Sequence, residues 1–100
     1  MLKAQFDHIL SQALDFAPET SDIIVTTHKQ VQAEVHGDLV NVPLKPDLGR
    51  LDPFQVESIA MCLMGRNMRL YRDMVNHGSC DLSYQLGTRI IETLIEGPGS

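Results

Sequence analysis

The stretch from Thr20 to Pro43 constrains the fold most, because it predicts three short strands in quick succession. Within it, a β-branched run is followed by residues that alternate between apolar and polar side chains. Such alternation has the two-residue period of a strand with one buried face. Gly37-Asp38 interrupts the pattern and predicts a tight turn over His36–Leu39, with Gly37 at the first central position. The three strands are expected at residues 22–27, 31–36 and 39–42.

Two further patterns predict helices on either side of this stretch. Apolar residues recur at helical spacing before Pro18 and predict an amphipathic helix of about four turns. Farther on, Asp52 is suited to cap a helix, Pro53 fits its first position, and Gln55 completes a capping box. We expect Gly65 to end this second helix.

The last third of the chain predicts one more helix and two strands. Asn67 is expected to begin the helix, and residues 76–79 to end it. Alternation over Cys80–Leu86 indicates a half-buried strand, and Arg89–Ile95 is interpreted as another. The element order α-β-β-β-α-α-β-β predicts an α+β fold, with helices on one face of a small antiparallel sheet. Its core is expected to be aliphatic and rich in methionine, from a group listed as Met61, Met64, Met68 and Met74.

Size and composition exclude several classes of protein. One hundred residues predict a single domain over residues 1–95, with residues 96–100 interpreted as a vector-derived tail. A formal charge of −5 argues against a nucleic-acid partner. Cys62 and Cys80 suit a reducing compartment. No run of apolar residues is long enough to span a membrane, and the N-terminal residues resemble neither a signal peptide nor an anchor.

The sequence predicts no catalytic or metal site. No two of the four histidines stand at helical i, i+4 spacing, and none lies beside a CxxC pair; they are His8, His28, His36 and His77. Cys62 falls on an apolar helix stripe and is expected to be a small core hydrophobe. Cys80 lies near His77, which leaves a small Cys-His enzyme as a minor alternative. The chain has no GxxxxGK[ST] motif, so we expect it to bind no nucleotide by a P-loop and to need no cofactor of its own.

Three arginines follow one another at intervals of three on the third predicted helix: Arg66, Arg69 and Arg72. This spacing places their guanidinium groups on one helix face. It favours a solvated face that offsets the charge of Asp73. A docking surface for an acidic partner is the alternative interpretation.

Five short segments carry motifs that occur together in one family: Thr20–Val25, Glu34–Leu39, Leu51–Glu57, Asp81–Tyr84 and Gly87–Arg89. In this order they resemble an ASD-(I/L)-H-(I/L) strand, an RVDGDL turn, an LTPEEVE helix start, a DFSY strand and the opening of a GxRFRVN strand. These are motifs of the N-terminal domain of the PilT-type secretion ATPases, the retraction motors of type IV pili. The resemblance runs from about residue 3 to Arg89, nearly the whole chain.

The resemblance implies a PAS-like α+β domain, which in the family precedes a RecA-like ATPase domain. Six subunits of the family form a ring, and each N-terminal domain packs on the ATPase domain of its neighbour. ATP with Mg²⁺ lies between the domains, and arginines at the end of the N-terminal domain contact its phosphates. Arg89 matches the first of these arginines, whereas Ile91 stands at the position of the second. The family's last pair of strands has no counterpart, so the chain is expected to be a fragment of a longer ATPase.

By this resemblance the chain would be the non-catalytic N-terminal domain of a hexameric twitching-motility ATPase. It would be cytoplasmic, held near the inner membrane by the pilus machinery. It would dock on ATPase domains of its own and neighbouring subunits and couple ATP binding and hydrolysis to domain motion. The resemblance does not assign the docking residues; from their charge and spacing we expect Arg66, Arg69 and Arg72 to form this domain's side of the contact. A different class of function stays open. The chain would then be a free-standing PAS-like sensor or interaction module, with a ligand pocket lined by Met61, Met64, Met68 and residues of the sheet.

Overall fold

Three helices and five strands follow one another in the predicted order in a computed structural model, which describes residues 3–65 and 67–97. The first half contains α1 (Lys3–Phe16), β1 (Thr20–Thr26), β2 (Gln32–Val35) and β3 (Asp38–Asn41). The second half contains α2 (Pro53–Met64), α3 (Met68–His77), β4 (Ser79–Leu86) and β5 (Arg89–Glu96). The predicted α+β class is confirmed. No helix of the described part is long and apolar enough to cross a bilayer.

The strands form one sheet in the order β3-β2-β1-β5-β4. Three of its pairings are antiparallel, as predicted, but β1 and β5 run parallel, with Asp22 opposite Glu92 and Ile24 opposite Leu94. The sheet is therefore mixed rather than wholly antiparallel. Parallel neighbours need a long connection, and here β2, β3, α2, α3 and β4 lie between β1 and β5 along the chain. This connection brings β5 back beside β1 with the same strand direction.

The β2–β3 turn lies one residue earlier than predicted. Val35 pairs with Asp38, so the two central residues are His36 and Gly37, not Gly37 and Asp38. Both have a positive φ, 52° and 85° respectively. Two positive φ angles are typical of a type I′ turn, which suits the twist of a hairpin. Gly37 at the second position adopts this geometry without the steric cost of a side chain.

One face of the sheet is buried against the helices. Ile23 and Val25 of β1 and Ile91 and Ile95 of β5 are almost inaccessible to solvent and join the same apolar cluster as the helix residues. From the helices this core takes Phe6, Ile9, Leu10, Ala13, Val56, Ile59, Ala60, Met64 and Leu70. The alternate strand residues, such as Glu92, lie on the opposite face. We call that side the open face, because no described helix contributes to it.

Local signals set the helix ends as the sequence predicts. The Asp52 carboxylate accepts a hydrogen bond from Gln55 N–H at 2.7 Å, and the Gln55 amide oxygen accepts one from Asp52 N–H at 2.8 Å. These reciprocal bonds form the predicted capping box, which satisfies two N–H groups at the start of α2. Asn67 caps α3, and Gly78 ends it in the left-handed conformation with φ 73°.

The prediction of a methionine-rich core is wrong for two of its four residues. Met64 is buried and Met74 is half-buried, whereas Met61 and Met68 are 62% and 65% exposed. The reason is that α2 and α3 form a single layer over part of the sheet, so each turns only one side to the core. In α3, Leu70 is the buried residue.

Candidate interaction surface

Five large apolar side chains are exposed on the outer side of α2 and α3. Their exposed fractions range from 54% for Tyr71 to 76% for Phe54. Single exposed apolar side chains are ordinary on a protein surface, whereas a large group of neighbouring ones is typical of an interaction site. We call this group the α2–α3 surface; it consists of Phe54, Met61, Met68, Tyr71 and Val75.

Helical spacing explains why these side chains share one side. Phe54 and Met61 are seven residues apart in α2, while Met68, Tyr71 and Val75 are separated by three and four residues in α3. Residues at these separations lie along one face of a helix. The sequence carried a signal that was missed, because α2 has apolar residues on both of its sides. Gln55, Glu57 and Ser58 make α2 partly polar, but Phe54 and Met61 lie outside its core-facing stripe, which is more apolar surface than an amphipathic helix needs for the core.

A groove of about 350 Å³ runs between α2 and α3 beside this surface. Its lining includes Met61 and Met64 from α2 and Tyr71, Met74 and Val75 from α3. The predicted sensor pocket is only partly reproduced. The groove brings Met61 and Met64 together but not Met68, and it touches the sheet only at Gly97, directly after β5, so it lies mainly between the two helices.

Charged side chains flank the apolar residues. Arg69 and Arg72 are exposed on α3, and neither guanidinium forms an ion pair within residues 3–65 and 67–97. Arg66, the third predicted docking residue, lies outside the described residues. On the other side of the groove, Glu57 of α2 lines it together with Met61. The α3 side of the surface therefore presents positive charge next to exposed apolar groups.

Arg89, to which the resemblance assigns phosphate contact, lies at the start of β5. Its Nη2 donates a hydrogen bond of 2.8 Å to the carbonyl oxygen of Thr20, the first residue of β1. The side chain is half-buried. This bond ties together the starts of the two parallel central strands. The remaining N–H groups of a guanidinium are still able to donate to another acceptor.

The two residues of the Cys-His alternative differ sharply in environment. Cys80 is buried, and His77 is exposed. Burial, with smaller contributions from Asp73 and Asp81, raises the pKa of the Cys80 thiol. A raised pKa keeps sulfur in its unreactive thiol form, which is the opposite of what a nucleophile needs. Within the described part of the chain, no three His, Cys, Asp or Glu side chains are arranged to hold a metal ion.

Sequence reasoning missed a polar cluster that joins α1 to β4. The Tyr84 hydroxyl donates to the Asp7 carboxylate, and Lys3 Nζ lies 3.3 Å from the other oxygen of Asp7. The hydrogen bond from Tyr84 lowers the pKa of Asp7 below its ordinary value, and Lys3 acts in the same direction. No local pattern signals this contact, because Tyr84 lies far from Asp7 along the chain.

The open face carries a second missed feature, a row of three carboxylates across adjacent strands. Asp22 of β1 lies opposite Glu34 of β2 on one side and Glu92 of β5 on the other. A hydrogen bond between Glu34 and Asp22 raises the pKa of Glu34. The open face is therefore acidic, whereas the outer side of α3 is basic.

The comparisons with known proteins leave the resemblance as a prediction. No family model, no curated protein and no solved structure matches the chain. The PAS-like label and the relation to secretion ATPases therefore rest on the quoted sequence motifs alone.

Proposed function

We propose that this chain is a non-catalytic docking domain that binds a protein partner through the α2–α3 surface. The observation that carries the proposal is the exposure of five large apolar side chains beside Arg69 and Arg72, which have no ion-pair partners among the described residues. Aromatic residues, methionine and arginine are the types enriched at interfaces. The partner that fits is a protein surface with protruding apolar side chains and nearby carboxylates.

In its specific form, the proposal assigns the chain to a hexameric type IV pilus retraction ATPase, as the N-terminal domain. The sequence motifs support this assignment, and the charge distribution agrees with it. In a head-to-tail ring two different surfaces meet, and the basic outer side of α3 would be this domain's side of its contact with the neighbouring ATPase domain. The domain would move as a rigid body when nucleotide opens and closes the cleft between domains.

ATP and Mg²⁺ would be bound by the P-loop domain of the parent protein, because this chain has no such motif. The groups in this chain fit a minor role toward the phosphates. Arg89 uses one N–H group on Thr20 and retains others. Its role would be to hold a phosphate oxygen of ATP near the start of β5.

The test is a binding titration of the chain against the ATPase domain of a PilT-type motor, by calorimetry at two salt concentrations. Met61→Ala and Tyr71→Ala should each weaken binding about tenfold, because interface anchors of this size contribute at least that much. Ile90→Ala is the matched control. Ile90 is 65% exposed, against 62% for Met61 and 54% for Tyr71, but it lies near one end of β5 and not on α2 or α3.

The electrostatic part is tested separately with Arg69→Glu/Arg72→Glu. This pair should weaken binding and flatten its dependence on salt. Lys29→Glu/Lys45→Glu changes the net charge by the same amount at exposed loop positions away from α3 and should have little effect. Binding that is insensitive to salt removes the electrostatic claim, and binding unaffected by Met61→Ala and Tyr71→Ala removes the surface itself.

The groove is the observation that favours the second candidate, a small-ligand sensor. Its volume falls within the range of ligand pockets, and its lining is mostly apolar. A ligand bound there would protect Met61 and Tyr71 from solvent but would not need Arg69 or Arg72. Loss of ligand binding in Tyr71→Ala with unchanged binding in the double arginine variant would identify this function.

A further inference from the structure

The two edges of the sheet differ in how well they are protected. Strand β3 is four residues long and is followed closely by Pro43 and Pro46. Short edge strands and prolines are common means of preventing edge-to-edge pairing. Strand β4 has eight residues, contains no proline and carries a single charged side chain, Asp81. In the described part of the chain no strand lies on its outer side.

Hydrogen bonds with β5 show which residues of β4 face outward. Gly97 N–H donates to the carbonyl oxygen of Gly78 at 2.7 Å, and this pair continues the β4–β5 register. Bonded and non-bonded pairs alternate in an antiparallel ladder, so every second residue after Gly78 bonds to β5. The residues between them direct both N–H and C=O away from the sheet: Ser79, Asp81, Ser83 and Gln85.

We propose that two copies of this chain pair antiparallel through their β4 edges and join their sheets into one. The two-fold axis passes through Leu82, so that Asp81 lies opposite Ser83 of the second copy and Ser79 lies opposite Gln85. Each facing pair exchanges two hydrogen bonds, which makes about eight across the interface. On the helix side, Leu82 meets Leu82 of the second copy.

The sequence of the edge selects this register and this occupant. A shift by one bonded pair in one direction places Asp81 opposite Asp81 of the second copy, and like charges directly opposite are destabilising. A shift in the other direction places Ser79 opposite Gly87, which lies in the β4–β5 turn. Only the register centred on Leu82 pairs all four outward residues without opposing like charges. The edge is thus complementary to itself, which favours a second copy.

Ser83→Pro tests the pairing directly. Proline lacks an N–H, but the N–H of Ser83 points outward, so the β4–β5 ladder keeps its bonds. By analytical ultracentrifugation across a concentration series, the unmodified chain should form a dimer. Ser83→Pro should raise the dimer dissociation constant at least tenfold. Ser83→Ala, which loses the 2.7 Å bond from Ser83 to Glu92 but keeps the N–H, is the matched control and should remain dimeric.

Two charge variants test the register and keep the proposal testable if Ser83→Pro does not fold. Ser83→Lys places a cation opposite Asp81 of the second copy and should lower the dissociation constant about two- to fivefold. Ser83→Glu places an anion there and should raise it by a similar factor. Circular dichroism confirms that each variant is folded.

Three outcomes overturn the proposal. One is an unmodified chain that is monomeric throughout the concentration series. Another is a dimer with the same dissociation constant in Ser83→Pro, Ser83→Lys and Ser83→Glu. The third is a dimer that Tyr71→Ala abolishes while folded Ser83→Pro retains it, because the copies would then meet through the α2–α3 surface. Docking to an ATPase domain is measured by heterologous binding, so its failure is distinct from the failure of the dimer.

Discussion

Tyr84 shows how a single side chain positions a helix on the sheet. Its ring packs edge-to-face on Phe6 of α1 at a centroid distance of 5.1 Å, and its hydroxyl donates to Asp7 one residue farther along the same helix. Burial, followed by the bond to Asp7, raises the pKa of the Tyr84 hydroxyl. Lys3 Nζ lies 5.3 Å from the centre of the Tyr84 ring and completes the contact. The apolar and polar parts of one residue therefore hold α1 against β4.

Tyr84→Phe should reduce the dependence of stability on acidic pH. The folded pKa of Asp7 is lowered, so Asp7 contributes stability above its ordinary pKa of 3.8 and loses it as the pH falls through the folded value. Without the Tyr84 hydroxyl this pKa returns toward the ordinary value. In urea titrations at about pH 5 and lower, the free energy of unfolding should fall less steeply for the variant. Glu34 has a raised pKa, so its contribution to the free energy of unfolding changes with pH in the opposite direction. This contribution is the same in both proteins and does not affect the comparison. Parallel pH curves would contradict the assigned role of Tyr84.

Thr93 is a buried residue whose hydroxyl has no hydrogen-bond partner in the described part of the chain. An unsatisfied buried hydroxyl is costly, and valine has almost the same shape. Thr93→Val should therefore raise the free energy of unfolding by about 1 kcal/mol. Thr20→Val is the matched control, because the equally buried Thr20 hydroxyl donates to Ala17 at 2.6 Å. The control should lose about 1 kcal/mol, and a loss of stability in both variants would show that the Thr93 hydroxyl has a partner.

At the scale of elements, the start of α2 depends on a few residues that are close in sequence. Asp52 and Gln55 exchange hydrogen bonds around Pro53, which has no N–H to satisfy. This local set explains why the beginning of α2 was predictable. It also determines the direction in which α2 leaves the loop, and so where Phe54 and Met61 point.

Asp52→Ala should lower the free energy of unfolding by about 1 kcal/mol, the usual effect of removing an N-cap. Asp52→Asn retains an acceptor oxygen for Gln55 N–H and should recover most of the loss. Guanidinium titrations of the three proteins measure the difference. Equal destabilisation by alanine and asparagine would show that charge at the helix N-terminus, and not the hydrogen bond, is what stabilises α2.

Across the whole molecule, the most deeply buried strands are the parallel pair β1 and β5 in the interior of the sheet. Strands β1 and β5 each have a neighbour on both sides, and their core-facing residues are almost fully buried. Strand β3 lies at an edge, and most of its residues are exposed. The Arg89–Thr20 bond reinforces the central pair at one end, and Thr27 N–H donates to Glu96 at the other.

Hydrogen exchange should follow this arrangement. The amides of β1 and β5, which are hydrogen-bonded to neighbouring strands, should exchange only on global unfolding. The amides of the edge strand β3 should exchange through local opening. Mass spectrometry of exchanged peptides, or NMR, resolves the two classes. The β4 edge gives an internal control, since its outward amides should be protected only when the chain is dimeric. Equal protection in β3 and β5 would contradict this division.

Features that depend on neighbours in the chain were determined by the sequence alone. These are the order of elements, the alternation of buried and open residues in β2 and β4, and the caps of α2 and α3, because periodicity and capping act over a few residues. Even the hairpin turn was placed to within one residue; His36 was missed because a positive φ is unusual for a side chain other than glycine.

Only the tertiary structure decided which segments meet. It placed β5 parallel to β1, joined Tyr84 to Asp7, left Met61 and Met68 on the surface, and made β4 an edge. The sequence predicts that a helix side or a strand face is apolar, but not whether the molecule has room to cover it. That depends on how many elements share one small core, which is settled only when the whole chain has packed.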